Sequence, residues 1–491
     1  MPVVVSESDL KNLENDYEPP APDAPPPSPD MNSVGFSDPF EKPSVNYDKN
    51  YKESEGESGK VGEESEGEVR SFQMILYGAS GFTGGLAVKY LWENYRSQVR
   101  IALAGRNSKK LGELQAEFGF DTIECDSSSY EECEQLVRFL EPGGVLLSTA
   151  GPFALCGENL VRACAENGKK YFDSDGETGW CREMIEKYHN TAVKTGAIIG
   201  FQFCHDISPY SLIAHKLSRE INEKGEEVVK YENYIDILSR PSNGTVKTAM
   251  LIRNNKESKK SKLDPLLIGG NSEYVTQNKN VKGFSFSKRP DICSYLTPFF
   301  MASVDCAGYK RSNAILHYGK NVKYVEGEAF VSIIDVFWHY WLQVWRYFLI
   351  IAGLYKNPTV SEMEKGYLDI IGVATGSDGS VSKGMFSVKF EPGYKCTSEM
   401  LCEAALAVIL NSNELNEHRG MVTPAIFNDK TDVYLKRLLN NPTKSFEFRV
   451  KNTENEKMKF TRKSNSFTFL LFFVMIFGLA SSMLCKSCPF Y

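Results

Sequence analysis

Two groups of residues in this chain have the types and spacing for chemistry. The first is the stretch YGASGFTG (77–84), which follows the short apolar run from Phe72 to Tyr77. Gly78 permits a tight turn out of a strand, Gly81 lets the main chain approach a pyrophosphate, and Gly84 lets a following helix pack closely. The main chain through Ala79, Ser80, Phe82 and Thr83 then offers bare N–H groups at a helix start, where the dipole favours anions. The spacing is GxxGxxG rather than GxGxxG, and alone it would also suit a plain tight turn. The second group is Asp175, Glu177, His205 and Asp206, expected just beyond strand ends where open parallel sheets bind ligands. His205 could donate a proton beside Asp206. Equally, Asp175 and Glu177 could only turn the chain or cap a helix, and His205 could be a satisfied surface residue. No tyrosine has lysine four residues later, so the usual Tyr–Lys reductase pair is excluded. Cys156 and Cys204 read as packing residues, and no cysteine or histidine spacing suggests a metal site.

These groups need a framework of alternating strands and helices. After the glycine turn, Leu86, Ala87, Tyr90 and Leu91 recur at helical spacing. Val99 to Ala104 is the second strand, ending in Gly105 and Arg106. NAD-preferring folds carry an acid at this strand end. Here the fork of Arg106 can pair with a 2′-phosphate, which favours NADP. An Arg lying over the adenine would serve NAD as well. Asp121 to Cys125 is the third strand, ending at Asp126. Gly144 to Ala150 is the fourth, and its loop, Gly151, Pro152 and Phe153, lies where the nicotinamide half of a cofactor should pass. Strands at 170–173 and 197–203 follow, with helices between, and the alternation predicts a parallel sheet covered on both faces.

The remaining organisation is coarser. Residues 1–70 hold 17 acids and 6 bases, so the net charge of −7 conceals a mildly basic body. That body gives no reason to invoke nucleic acid. The proline- and glutamate-rich tail 1–70 reads as disordered. The start MPVVVSESDL lacks a basic and apolar leader, and 12 scattered cysteines suggest a reducing compartment. The nucleotide domain is assigned to 71–206 and an α+β domain to 207–329. Residues 330–355 are aromatic yet carry Asp335, His339 and Arg346, which suits an interfacial or re-entrant helix better than a bilayer span; a buried core helix is the alternative. Residues 356–445 return to the core, and 446–463 reads as a linker. The charge-free run Phe467 to Leu484, within 464–485, is about long enough to cross a bilayer and follows a basic flank. It predicts a tail anchor, unless this C-terminus is an unused variant.

Taken together, YGASGFTG (77–84), ALAGR (102–106), STAGPFALCGENLVRACAENG (148–168), YFDSDGE (171–177), GFQFCHDISP (200–209), TPFFMASVD (297–305) and GMVTPAIF (420–427) resemble the saccharopine dehydrogenase-like oxidoreductases, a group that includes trans-acting enoyl reductases of glycolipid synthesis. The resemblance covers about 72–445. It implies an α/β architecture: a Rossmann-type parallel sheet, an inserted α+β domain and a C-terminal helix returning to the first domain. It also implies association with lipid droplets, mitochondria or membranes, so the cytosolic face of such a surface is the expected location. Cys204 and His205 stand where the family usually has Gly and Phe. The expected function is NADP-dependent reduction of a lipid-linked carbonyl or enoyl group. The alternatives are a soluble amino-acid oxidoreductase and a nucleotide-binding scaffold without turnover. An oligomer is compatible with each.

Overall fold

The computed structural model describes residues 71–240, 269, 272–351, 354–451 and 458–460. The acidic tail and the charge-free run at 467–484 lie outside the described residues.

Seven parallel strands form the first sheet. β1 (Phe72–Tyr77) is largely apolar and lies in its interior, between β4 and β2. The glycine turn leads into α1 (Phe82–Tyr95). β2 (Ile101–Gly105), α2 (Ser108–Phe118) and β3 (Asp121–Glu124) complete one half. Asn107 caps α2 by accepting from Lys110 N at 3.0 Å, and Gly119 ends it at φ 74. α3 (Tyr130–Arg138), β4 (Leu140–Ser148), the short α4 (Phe153–Cys156), α5 (Glu158–Glu166), β5 (Lys170–Asp173), α6 (Thr178–Thr195) and β6 (Ile198–Gly200) build the other half. α4 lies in a stretch expected to be loop.

α7 (Ser208–Glu223) crosses to a second, mixed sheet. Its strands are β7 (Val228–Leu238), β8 (Val275–Asn278), β9 (Ser285–Phe286) and β10 (Tyr295–Thr297), then, after α8 (Ala302–Leu316), β11 (Asn321–Phe330). α9 (Ile333–Ile351) and α10 (Val360–Lys365) precede β12 (Tyr367–Gly376) and β13 (Val381–Val388). A π-helical turn (Pro392–Cys396) leads into α11 (Thr397–Leu410). The chain ends with β14 (Gly420–Val422), α12 (Pro424–Asn428), α13 (Val433–Leu439) and β15 (Phe446–Val450).

The strand orders are β14-β6-β5-β4-β1-β2-β3 and β15-β13-β12-β7-β11-β10-β9, with β8 paired to β11. The second sheet therefore draws on chain well beyond residue 329. β12 pairs with β7 from Tyr367↔Leu238 onward, and Phe446–Val450, expected to be linker, is its edge strand. The middle of 356–445 does return to the first domain: α11 packs on β4 and α1. There the buried Glu403 accepts from Tyr90 and Tyr95, both at 2.6 Å, and pairs with Arg437 at 2.7 Å. Nearly every residue of α11 is buried, including both glutamates, so its carboxylates need these partners.

α9 is not a core helix. Phe337, Trp341, Val344, Trp345 and Phe348 are each at least 50% exposed. Among the described residues, no helix is long and apolar enough to cross a membrane.

Candidate active site

The glycine turn has the geometry its sequence demands. Gly78 sits at φ 83, where a Cβ would also lie 2.9 Å from Ala150 N. Gly84 is tighter: a Cβ there would lie 2.1 Å from Gly78 O and 2.9 Å from Ala79 Cα. At Gly81, which precedes α1, the nearest atom would be Gly78 O at 3.2 Å. Ser80 and Gly81 are exposed, and Ala79 is buried beneath them. The first-turn N–H groups of Phe82, Thr83 and Gly84 have no intrahelical acceptor, and no acid in that turn repels an anion. The turn is thus open to a diphosphate.

Arg106 is exposed directly after β2. It and Asp126 are close enough to Cys156 to act on its thiol, which burial pushes up to about 11 while Arg106 opposes the rise. The ends of β2, β3 and β4 therefore converge. Asp126 shapes its own loop, accepting from Ser128 N at 3.0 Å while its N–H donates to Glu132 at 2.7 Å. Gly151 and Pro152 follow β4, and the N–H groups just after them bind Glu177: Phe153 N at 2.8 Å and Ala154 N at 3.0 Å.

The four polar candidates separate into two pairs. Asp175 and Glu177 are 0% and 5% exposed. Glu177 fixes the Gly151–Phe153 loop. Asp175 accepts from Glu177 N and, at 3.0 Å, from Cys181 Sγ, and burial pushes it up to about 7. Both carboxylates hold loops in place. His205 and Asp206 are half-buried, and His205 Nε2 lies 2.7 Å from Asp206 Oδ1. Burial works against the imidazolium, but the carboxylates of Asp206 and Glu391 outweigh it and raise His205 above its ordinary value.

Three residues missed in the sequence complete this edge. Thr397 Oγ1 accepts from His205 N at 3.1 Å and lies 3.5 Å from its Nδ1. Glu391 accepts from Gly393 N and Tyr394 N, both at 2.8 Å, which winds the π-helical turn. That turn sets the Tyr394 ring edge-on to Phe82, with centroids 5.2 Å apart. The same turn therefore touches the cofactor loop through Tyr394 and, one residue beyond its end, His205 through Thr397. Only EPG (391–393), a cap-and-proline helix start, signalled it.

Comparison with known proteins agrees with this geometry. Residues 74–199 match the model of the saccharopine dehydrogenase NADP binding domain. A trans-acting enoyl reductase of Mycobacterium tuberculosis is 28% identical over 394 residues, covering 72% of this chain and 93% of that protein. One from Mycobacterium ulcerans is 27% identical with the same coverage. Apo saccharopine dehydrogenase (L-Glu forming) from Saccharomyces cerevisiae aligns at 11% identity with a TM-score of 0.46, over 77% of this chain and 99% of that one. The residues present fit the implied dinucleotide: a glycine at each close approach, open amides at α1 and an arginine after β2. Residues 74–199 thus match a saccharopine dehydrogenase NADP binding domain, and the chain is similar to trans-acting enoyl reductases over 72% of its length.

Proposed function

We propose that this protein reduces an enoyl or carbonyl group on a lipid-linked substrate, at the cytosolic face of a membrane or lipid droplet. The observation that carries the chemistry is the His205–Asp206 pair at the carboxyl end of the parallel sheet, tied through Thr397 and the π-helical turn to the cofactor loop. When bound, NADPH supplies the hydride. Gly78 to Gly84 would hold its diphosphate and Arg106 its 2′-phosphate. His205, whose protonated form Asp206 and Glu391 favour, would give the proton.

The relatives' names support enoyl chemistry, and the exposed aromatic face of α9 supports a lipid surface. A dicarboxylic amino-acid substrate would need free arginines. Among the described residues of the second domain, Arg219 lies 4.0 Å from Asp429, Arg240 pairs with Glu362, Arg289 with Asp291, and Arg311 is buried against Met421 O at 2.7 Å. These are committed to structure, which favours the lipid reading.

The test is NADPH oxidation by the purified full chain with crotonyl-CoA and a long-chain enoyl thioester. Turnover lost in His205→Gln supports the reading. NADPH binding with no consumption by either acceptor sinks it and favours a scaffold. For the surface, flotation with anionic phospholipid vesicles should fall when Trp341 and Trp345 are both changed to serine; unchanged flotation removes α9 from the account.

A further inference from the structure

A second exposed aromatic surface lies apart from α9, on the hairpin that β9 makes with β10. β9 is two residues long and the last strand of its sheet. The sequence around it is KGFSFSK (282–288). In extended chain every second residue shares a face, and the rings of Phe284 and Phe286 lie together, 6.0 Å apart. They are 49% and 75% exposed, and the exposed Lys282 and Lys288 flank them. Lysines beside a short edge strand need only keep other strands away. Two bare rings between them do the opposite in water, so edge protection explains half of the motif.

The rings are presented by a bonded turn. Ser287 N donates to Ser294 O at 2.9 Å, and Cys293 N to Arg289 O at 3.1 Å. Arg289 pairs with Asp291 at 3.0 Å, which also takes Lys383 at 3.2 Å. From this tip the aromatic surface crosses the sheet. Phe286 stands opposite Tyr295 on β10, and Tyr295 opposite Phe330 on β11, so all three share one face. The Phe286 and Tyr295 centroids are 5.7 Å apart, and Phe330 meets His339 of α9 at 5.5 Å. α9 packs on both β10 and β11. The β9 tip and α9 are thus two ends of one aromatic band.

Apolar rings with ammonium groups at their margin suit a surface with a hydrocarbon interior and a negative rim. A second copy of the chain fits worse. Two β9 edges related by a twofold axis would set the lysines of one copy against those of the other. A two-residue strand offers few hydrogen bonds to offset that repulsion.

We infer that the β9 tip is a membrane-inserting loop. Phe284 and Phe286 enter the headgroup boundary of an anionic phospholipid surface, and Lys282 and Lys288 meet its phosphates. The inference rests on the lipid-surface reading and adds a second contact to it. A single helix would leave the body free to roll about the helix axis, whereas two separated contacts fix how the protein sits.

The test is hydrogen exchange of the full chain, read by mass spectrometry, with vesicles of phosphatidylcholine and phosphatidylserine. The vesicles should slow exchange at 283–288 as well as along α9. Phe284→Ser with Phe286→Ser should abolish the slowing at 283–288 and raise the lipid needed to protect α9 about tenfold or more. Lys282→Gln and Lys288→Gln should each raise it about fivefold at low salt. Unchanged NADPH titrations and melting curves confirm the fold of each variant. Exchange at 283–288 that vesicles leave unchanged overturns the inference, whether or not α9 is protected. Protection at 283–288 without α9 supports it and removes α9 from the account instead. Protection that grows with protein concentration and needs no lipid assigns the tip to a second copy. Protection present without lipid at any dilution assigns it to another segment of the chain. Either result also overturns the inference.

Discussion

The cofactor side and the proposed substrate side of this site are made of different materials. The cofactor side is main chain: eight consecutive residues, 77–84, create a cradle whose tolerances are set by the missing Cβ atoms of Gly78 and Gly84. The substrate side is made of side chains from remote segments. His205 leans on Thr397, and Glu391 winds the turn that joins the two sides. A cradle of amides can be damaged by adding one carbon. A wall of side chains is damaged by removing one group, and conservative variants can rescue it.

That contrast can be broken by experiment. The largest effect is expected at Gly84→Ala, whose new carbon has backbone on every near side. We expect destabilisation by about 3 kcal/mol or more and loss of NADPH binding, read by thermal melting and fluorescence titration. Normal binding would mean the turn is not the cradle. His205→Gln should lower turnover about 10²–10⁴-fold with NADPH affinity unchanged. Arg106→Ala should weaken NADPH by about 1.5–3 kcal/mol, the range for a charged hydrogen bond, and leave NADH nearly unaffected. An unchanged NADPH-to-NADH ratio rejects its role with the 2′-phosphate. The smallest effect is expected for Thr397→Val, a loss of about 1 kcal/mol in the alignment of His205, seen in turnover rather than in NADPH binding.

The pH dependence sharpens the substrate side alone. His205 has a raised pKa in the folded protein. Its protonated form, and the stability its partners lend, are complete below the ordinary imidazole value and disappear as pH rises through the raised one. Turnover should therefore fall on the alkaline side. Asp206→Asn should bring that fall to lower pH, while NADPH binding keeps its own pH course. A fall at the same pH in both proteins would remove Asp206 as the partner.

The two sides were also unequally legible in the sequence. The glycine turn, the Arg106 strand end and the first six strands are local patterns, so their spacing was enough. Asp175 and Glu177 were found in place, but the bonds by which they hold loops were not legible, because a strand-end acid looks the same in sequence whether it faces a pocket or closes a loop. Glu391, Tyr394 and Thr397 were invisible as site residues because they arrive from nearly 200 positions beyond His205. The second sheet was underestimated for the same reason: β12 alternates poorly, being buried on almost every residue, and only pairing with β7 reveals its neighbour. In the aromatic stretch 330–355 the charged residues spoke against a bilayer span but left a core helix open, and only the exposure of residues such as Trp341 and Trp345 decides against the core.

β14 has a consequence for how the protein is made. Gly420–Val422 lies beside β6 as the seventh parallel strand, joined through pairs such as Met421↔Ile199. The nucleotide-binding sheet thus stays unfinished until nearly all of the body has left the ribosome. During that interval β6 presents a bare rim able to recruit other strands. Fragments cut after residue 206 inherit the same rim, so aggregation of such a fragment would say nothing about the health of the whole enzyme.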